Sequence, residues 1–160
     1  MRISDEHHVL KADLDGAARA LGVEVRREQE LSDSGRRVRT LTVVLPEPTP
    51  VRARFVRESL MRRAEKLFVD ELEVGSAWFD DLIYVSTDTR AETAAFLAQK
   101  RVQQALMLLV DDDRWVEVDA TELRLIDEDA ADDGRDARAE MLALAQHLLN
   151  LTDAPVEPPS

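Results

Sequence analysis

An α+β fold, an antiparallel sheet of about five to six strands with helices packed on it, is predicted by three features of the sequence. Alternating runs rich in β-branched residues recur at 23–31, 38–45, 51–55, 115–118 and 123–126. Apolar residues at three- and four-residue steps mark helices at the N-terminus, in the middle and near the C-terminus. Short turn clusters separate neighbouring strand runs, as hairpins require, so the sheet is antiparallel and its helices lie against it.

The elements follow in order. Val9, Leu10, Leu14, Ala17, Ala18 and Leu21 share one helical stripe, interrupted by Gly16 and closed by Gly22, which suits a left-handed C-terminal cap. Val23-Glu24-Val25 opens a strand, Ser32 to Gly35 supplies the turn, and Val38 to Leu45 returns, completing a hairpin. Pro46, Pro48 and Pro50 cannot donate to a ladder, so residues 46–50 form an edge connection. Val51, Ala53 and Phe55 alternate with Arg52 and Arg54, a third strand with a polar outer face.

Residues 58–73 admit two readings. Leu60, Ala64 and Leu67 fit helical turns, whereas Leu67-Phe68-Val69 with Leu72 and Val74 fits a short strand. Gly75 then marks a turn, and Trp78 to Val85 is predicted as a strand with both faces apolar, placed in the middle of the sheet. Thr89-Arg90-Ala91-Glu92 has capping-box spacing and starts one long helix that runs to Val110 and is ended by Asp111 to Asp113. Trp115 to Val118 and Leu123 to Ile126 form a second hairpin about Asp119-Ala120-Thr121. An acidic loop at 127–134 leads to a last helix built on Ala137, Met141, Leu144, Ala145, Leu148 and Leu151. The expected organisation is one α+β domain over residues 1–152 and a disordered, proline-rich tail over 153–160.

Composition narrows the classes. At 160 residues the chain has the size of one domain, 44% of it is hydrophobic, and 34% is charged against an average near 25%. No cysteine is present, which removes disulfides, thiolate metal sites and cysteine nucleophiles. The first residues lack the apolar core of a signal peptide and no window has the run of about 20 apolar residues that a span needs, so a cytoplasmic location without membrane insertion is expected. The net charge of −12 is unevenly spread, with residues 26–66 net basic and residues 67–160 strongly acidic. Nucleic acid is disfavoured as a partner, because the larger part of the chain repels phosphates.

Motif by motif, chemistry is sparse. Asp129, Asp133, Gly134 and Glu140 fall at positions 1, 5, 6 and 12 of a calcium loop, but Ala131 and Asp136 stand where a ligand and an apolar residue belong. His7 and His8 are adjacent and diverge on a helix, and His147 borders an apolar stripe. No Gly-rich phosphate loop or nucleophile elbow occurs. No catalytic residue, metal or cofactor is therefore expected. The candidate binding residues are Trp78, Asp80 and Asp81, and the arginines Arg37, Arg39, Arg52 and Arg54 on the outer faces of the early strands, along with Arg26 and Arg27. Cross-strand pairing with Glu24, Glu28 and Glu30 is the simpler role for those arginines.

The segment Val74-Gly75-Ser76-Ala77-Trp78-Phe79-Asp80-Asp81-Leu82-Ile83-Tyr84-Val85 with its following helix resembles a group of uncharacterised bacterial proteins. In those, a Gly-polar-x-x-Phe-Asp segment precedes a strand, a helix, a hairpin and a closing helix. The resemblance spans residues 68–150, departs from the group's Gly-Asp at Gly75-Ser76, and implies a shared fold. The order helix, three strands, helix, two strands, helix is similar in topology to type III secretion chaperones. That likeness implies a dimer holding an extended segment of a partner, and the extra residues 58–73 depart from it.

The expected function is a non-catalytic protein-interaction or chaperone-like domain whose partner is another protein or a second copy. Two alternatives stand beside it: a small hydrolase or ligand sensor with a pocket near Trp78, Asp80 and Asp81, and an acidic inhibitor or immunity-type protein acting through residues 111–133.

Overall fold

The computed structural model describes residues 14–31, 33–57, 77–128 and 137–153. Helix α1 (residues 14–21) ends at Gly22, whose φ of 73° allows the Gly22 amide to donate to the Arg19 carbonyl and the Val23 amide to the Ala18 carbonyl, both at 3.1 Å. This doubly bonded left-handed cap is what a glycine after the last apolar residue of a helix provides. Strands β1 (Glu24–Leu31) and β2 (Arg37–Val44) then form a hairpin that turns at Gly35, φ 81°.

The chain next crosses the end of another hairpin. Leu45 donates its amide to Thr121 at 2.7 Å and Thr49 its amide to Ala120 at 2.9 Å, the non-proline residues of the stretch supplying the bonds that Pro46, Pro48 and Pro50 cannot. Strand β3 (Ala53–Arg57) therefore enters the sheet three places beyond β2. After α2 (Ala77–Leu82) come β4 (Ile83–Thr87), α3 (Arg90–Leu97), α4 (Lys100–Leu109), β5 (Arg114–Asp119), β6 (Glu122–Asp127) and α5 (Arg138–Asp153). All neighbours in the sheet order β1-β2-β6-β5-β3-β4 are antiparallel, so the α+β fold with an antiparallel sheet is the observed one.

Strand register assigns every side chain to one of two faces. Leu41, Val43, Leu125, Leu123, Val116, Val118, Ala53, Phe55, Ile83 and Val85 lie opposite one another in successive pairs, and nearly all are buried in one cluster with Phe79, Phe96, Leu97, Leu106, Met141, Leu144 and Leu148 of the helices. The helices thus cover this face, with Phe55 and Phe96 tilted against each other at 6.3 Å between ring centres. The opposite row carries Arg26, Thr42, Arg124, Glu117, Arg54 and Ser86, a polar alternation typical of an antiparallel sheet with one face packed.

Four sequence expectations are corrected. The residues from Trp78 to Leu82 are helical rather than extended, and the strand begins only at Ile83. Asp80 and Asp81 are poor strand formers, and β-branched residues accumulate only from Ile83 onward, so the short apolar run was ambiguous by period alone. Among the described strands β4 stands at an end of the sheet, not in its middle, although Ile83, Tyr84 and Val85 are buried on both of its faces.

The predicted long helix is two helices. Gln99 is extended at φ −80°, ψ 120°, and the Gln103 side chain donates to the Leu97 carbonyl at 2.7 Å, satisfying an acceptor that the break releases. The capping box does not form either: Thr89 makes no side-chain cap bond, because its hydroxyl accepts the Arg52 amide at 2.9 Å instead. Residues 58–73, the turn at Gly75, the tail and most of the acidic loop lie outside the described residues.

Candidate functional site

The predicted binding residues do not gather at one place. On α2, Phe79 is fully buried and anchors the helix, while Trp78, 69% exposed, and Asp81 stand one turn apart on its outer side. Asp80 is half-buried and turned away from both, since successive helix residues are rotated by about 100°. The two carboxylates accordingly diverge on a helix as they would on a strand.

The arginines split between the two sheet faces. Arg37, Arg39 and Arg27 share the helix-bearing side in register, with Arg39 opposite Asp127, whereas Arg26, Arg52 and Arg54 share the other side. Expecting all of them on one outer face ignored that odd and even positions of a strand point opposite ways. Glu24 is one of the acids expected, but Arg26 meets it along a strand rather than across, and Arg52 and Arg54 have other acids, those of β5.

On that open face β5 and β6 add residues that the sequence reading left out. The Arg54 guanidinium lies 5.4 Å from the centre of the Trp115 ring, a cation–π contact, and its Nε is 3.5 Å from Glu117 Oε1. Trp115 Nε1 donates to the same Oε1 at 3.2 Å, and Arg124 Nη2 approaches Glu117 Oε2 at 3.5 Å. Arg52 Nε donates to Asp119 Oδ1 at 3.1 Å. Glu117 therefore bridges two arginines and orients the tryptophan, and with Asp119 it leaves three arginines facing two carboxylates. Arg124 Nε is buried without a hydrogen-bond partner. The signal was present in the alternation Trp115, Glu117, Asp119 against Val116 and Val118, since whichever set is not core must face outward.

A second constellation lies at the start of β3, around the Arg52 backbone. Thr87, Thr89 and Thr93 bring three hydroxyls within 3.2 Å of one another, and Thr87 donates to the Arg52 carbonyl at 2.6 Å. With the Arg52 amide donating to Thr89 and the Thr89 amide to Thr87, the cluster ties the start of β3 to the end of β4 and the first turn of α3. A third joins α4 to β5. Asp111 accepts the amides of Asp113 and Arg114 at 2.9 and 3.0 Å, and the buried Arg114 side chain donates to Asp111 at 3.0 Å and to the Leu108 carbonyl at 3.1 Å. Each polar atom serves its neighbours, so both clusters act as joints of the scaffold.

The remaining exposed feature is β1. All of its residues but Val25 are exposed, among the described strands it pairs with β2 alone, and it ends in Leu31, which is 73% exposed. At its start Arg26 grips Glu24 in two 3.2 Å bonds, which hold the Glu24 carboxyl below the usual carboxylate range and raise Arg26 in turn. Among the described residues no group of three or more His, Asp or Glu side chains is arranged to hold a metal, and no helix is long and apolar enough to cross a membrane. Of the calcium-loop residues, only Glu140 falls within the description, on α5.

An antiparallel sheet with the described helices on one face and β1 at one end of the described strands defines an α+β scaffold whose other face is largely polar, with Val56 and Tyr84 buried on it at the β3–β4 end. No protein-family model matches the chain, and no curated protein matches it. Among solved structures it is similar to the crystal structure of the mycobacterial trehalose monomycolate transport factor A, TtfA, at 13% identity. The match covers 92% of this chain and 95% of that one with a TM-score of 0.41, a level that carries no functional argument.

Proposed function

We propose that the chain is a non-catalytic protein-interaction domain that takes up a strand of a protein partner along β1. The carrying observation is the exposure of β1 over all but one of its eight residues, with β2 as its one neighbour among the described strands. Backbone amides and carbonyls on such an edge supply directional affinity for an added strand, and alternate side chains supply selectivity. The exposed Leu31 adds an apolar contact at the end of the edge. A partner segment held in extended form is also what the topological resemblance to secretion chaperones implies.

The test is a pull-down with the tagged chain from its host lysate, beside a copy carrying Arg26→Glu and Leu31→Asp. Both positions are exposed, so the fold survives the changes, which circular dichroism verifies. A stoichiometric protein held by the original and lost from the variant is the expected result. Equal capture by both, or capture by neither, overturns the assignment.

A further inference from the structure

Resting on that reading of the β1 edge, we infer that the strand it takes up is β1 of a second copy, joined antiparallel about a two-fold axis at Glu28. The inference comes from the order of side chains along Glu24-Val25-Arg26-Arg27-Glu28-Gln29-Glu30-Leu31. Charged side chains, a proline or a bulge guard an edge strand against association, and charges do so by repelling a like-charged neighbour. This one carries both signs, has no proline, and pairs with β2 without a register break from Glu24 to Leu31.

Symmetry limits the choices. Two copies that extend one antiparallel sheet are related by a two-fold perpendicular to it, which keeps the helices of both on the same side. Residues facing each other across the new pair must also point to the same face, so even positions meet even and odd meet odd. In the register centred on Glu28, Arg26 meets the partner's Glu30, Arg27 meets the partner's Gln29, and Val25 meets the partner's Leu31, each twice. One like-charged pair, Glu28 with the partner's Glu28, sits at the axis, with an Arg26 from each copy on the diagonal.

The neighbouring register centred on Arg27 also forms two opposite-charge pairs, Arg26 with the partner's Glu28. It sets Arg27 against itself and Glu24 twice against the partner's Glu30, three like-charged contacts where the Glu28 register has one. It also sets Leu31 opposite Val23, which precedes the strand and is already buried in the core. Directly opposed opposite charges stabilise a sheet pair and like charges destabilise it, so the Glu28 register wins. The same pairing covers the most exposed large apolar residue of the sheet, Leu31, with the half-buried Val25.

The chain contains no cysteine, which makes the register directly testable in the full-length protein. Glu28→Cys places two thiols at the axis, where facing Cα atoms of an antiparallel pair lie about 4.5–5.5 Å apart, within disulfide range. Arg27→Cys and Gln29→Cys place them two residues out of register. Mild oxidation is expected to cross-link Glu28→Cys far faster than the other two, and cross-linking led by Arg27→Cys, or equal in all three, overturns the register.

Sedimentation equilibrium of the cysteine-free protein provides the second arm. The original is expected to dimerise, Arg26→Glu and Glu30→Arg to be monomers, and the double charge exchange to regain the dimer. A monomeric original overturns the inference. If that monomer still captures a different protein from lysate in a β1-dependent way, edge pairing survives and self-pairing alone fails; if it captures none, both fail.

Discussion

The two ends of the sheet are built from the same backbone chemistry and treated oppositely. At one end β4 contributes Ile83, Tyr84, Val85 and Thr87, all buried, and α2 leans on it through Phe79. At the other end β1 contributes Glu24, Arg26, Arg27, Glu28 and Glu30, all exposed, and only Val25 reaches the core. A strand at the end of a sheet is thus not one kind of object. Where its residues are apolar on both faces the fold covers it and gains stability, and where they are charged on both faces the strand remains at the surface.

That contrast breaks most visibly under truncation. Phe79→Ala, at the covered end, removes a fully buried ring and is expected to cost about 3–5 kcal/mol, as other large-to-small changes in closed cores do. Leu31→Ala, at the open end, is expected to shift monomer stability by no more than about 0.5 kcal/mol, since the side chain is 73% exposed. Urea unfolding of both variants at a concentration where the protein is monomeric makes the comparison. Equal losses would mean that the β1 end is as deeply integrated as the β4 end.

A smaller effect sharpens the same distinction in polar terms. The covered end is sewn to the sheet by the Thr87, Thr89 and Thr93 hydroxyls, and Thr87 alone donates to the Arg52 carbonyl and accepts the Thr89 amide at 3.0 Å. Thr87→Val keeps the shape and leaves both groups without that partner, an expected cost of about 1–3 kcal/mol in the urea midpoint. Thr87→Ser keeps the hydroxyl and is expected to lose less. If the two variants are equal, the methyl group rather than the hydrogen bond is what matters there.

How far the sequence revealed this follows from where its signals are local. Both hairpins, the Gly22 cap and the last helix were legible, because turn residues and apolar period sit within a few positions of each other. The helical Ala77 to Leu82 was not, since six residues with so short an apolar pattern fit either period. The break at Gln99 was hidden because the apolar stripe continues across it, and only the tertiary demand for Phe96 and Val102 to reach the same core sets the bend. The Thr89 cap failed for a related reason: a distant backbone amide, that of Arg52, outcompeted the local one.

The candidate surfaces were legible only in part. The arginines of β2 and β3 stood out by composition, but which face each occupies depends on register, and register placed Arg54 beside Trp115 and Glu117 and Arg52 beside Asp119, more than 60 residues away in the chain. The availability of β1 rests on strand order. Nothing in an alternating run says whether its outer edge is paired until the positions of β2, β6, β5, β3 and β4 are known.

The smallest expected effect concerns the open end alone. Glu24 is held below the usual carboxylate range first by its hydrogen bond from Arg26 and then by that residue's charge. A depressed carboxyl contributes stability that is present above its unfolded-state value and is lost as pH falls through the lower folded-state value. Because both side chains stand in solvent, that contribution is screened, and Arg26→Ala is expected to leave the urea midpoint of the monomer unchanged at neutral pH. The titration of Glu24, followed by side-chain NMR, is instead expected to move up to the ordinary glutamate range in Arg26→Ala. A Glu24 titration that does not move would show that the pair is not formed in solution, and Arg26 would then be wholly free to meet an acid from outside the chain. A neutral-pH midpoint that falls with the titration would mean that the edge, for all its exposure, is held in place by its own charges.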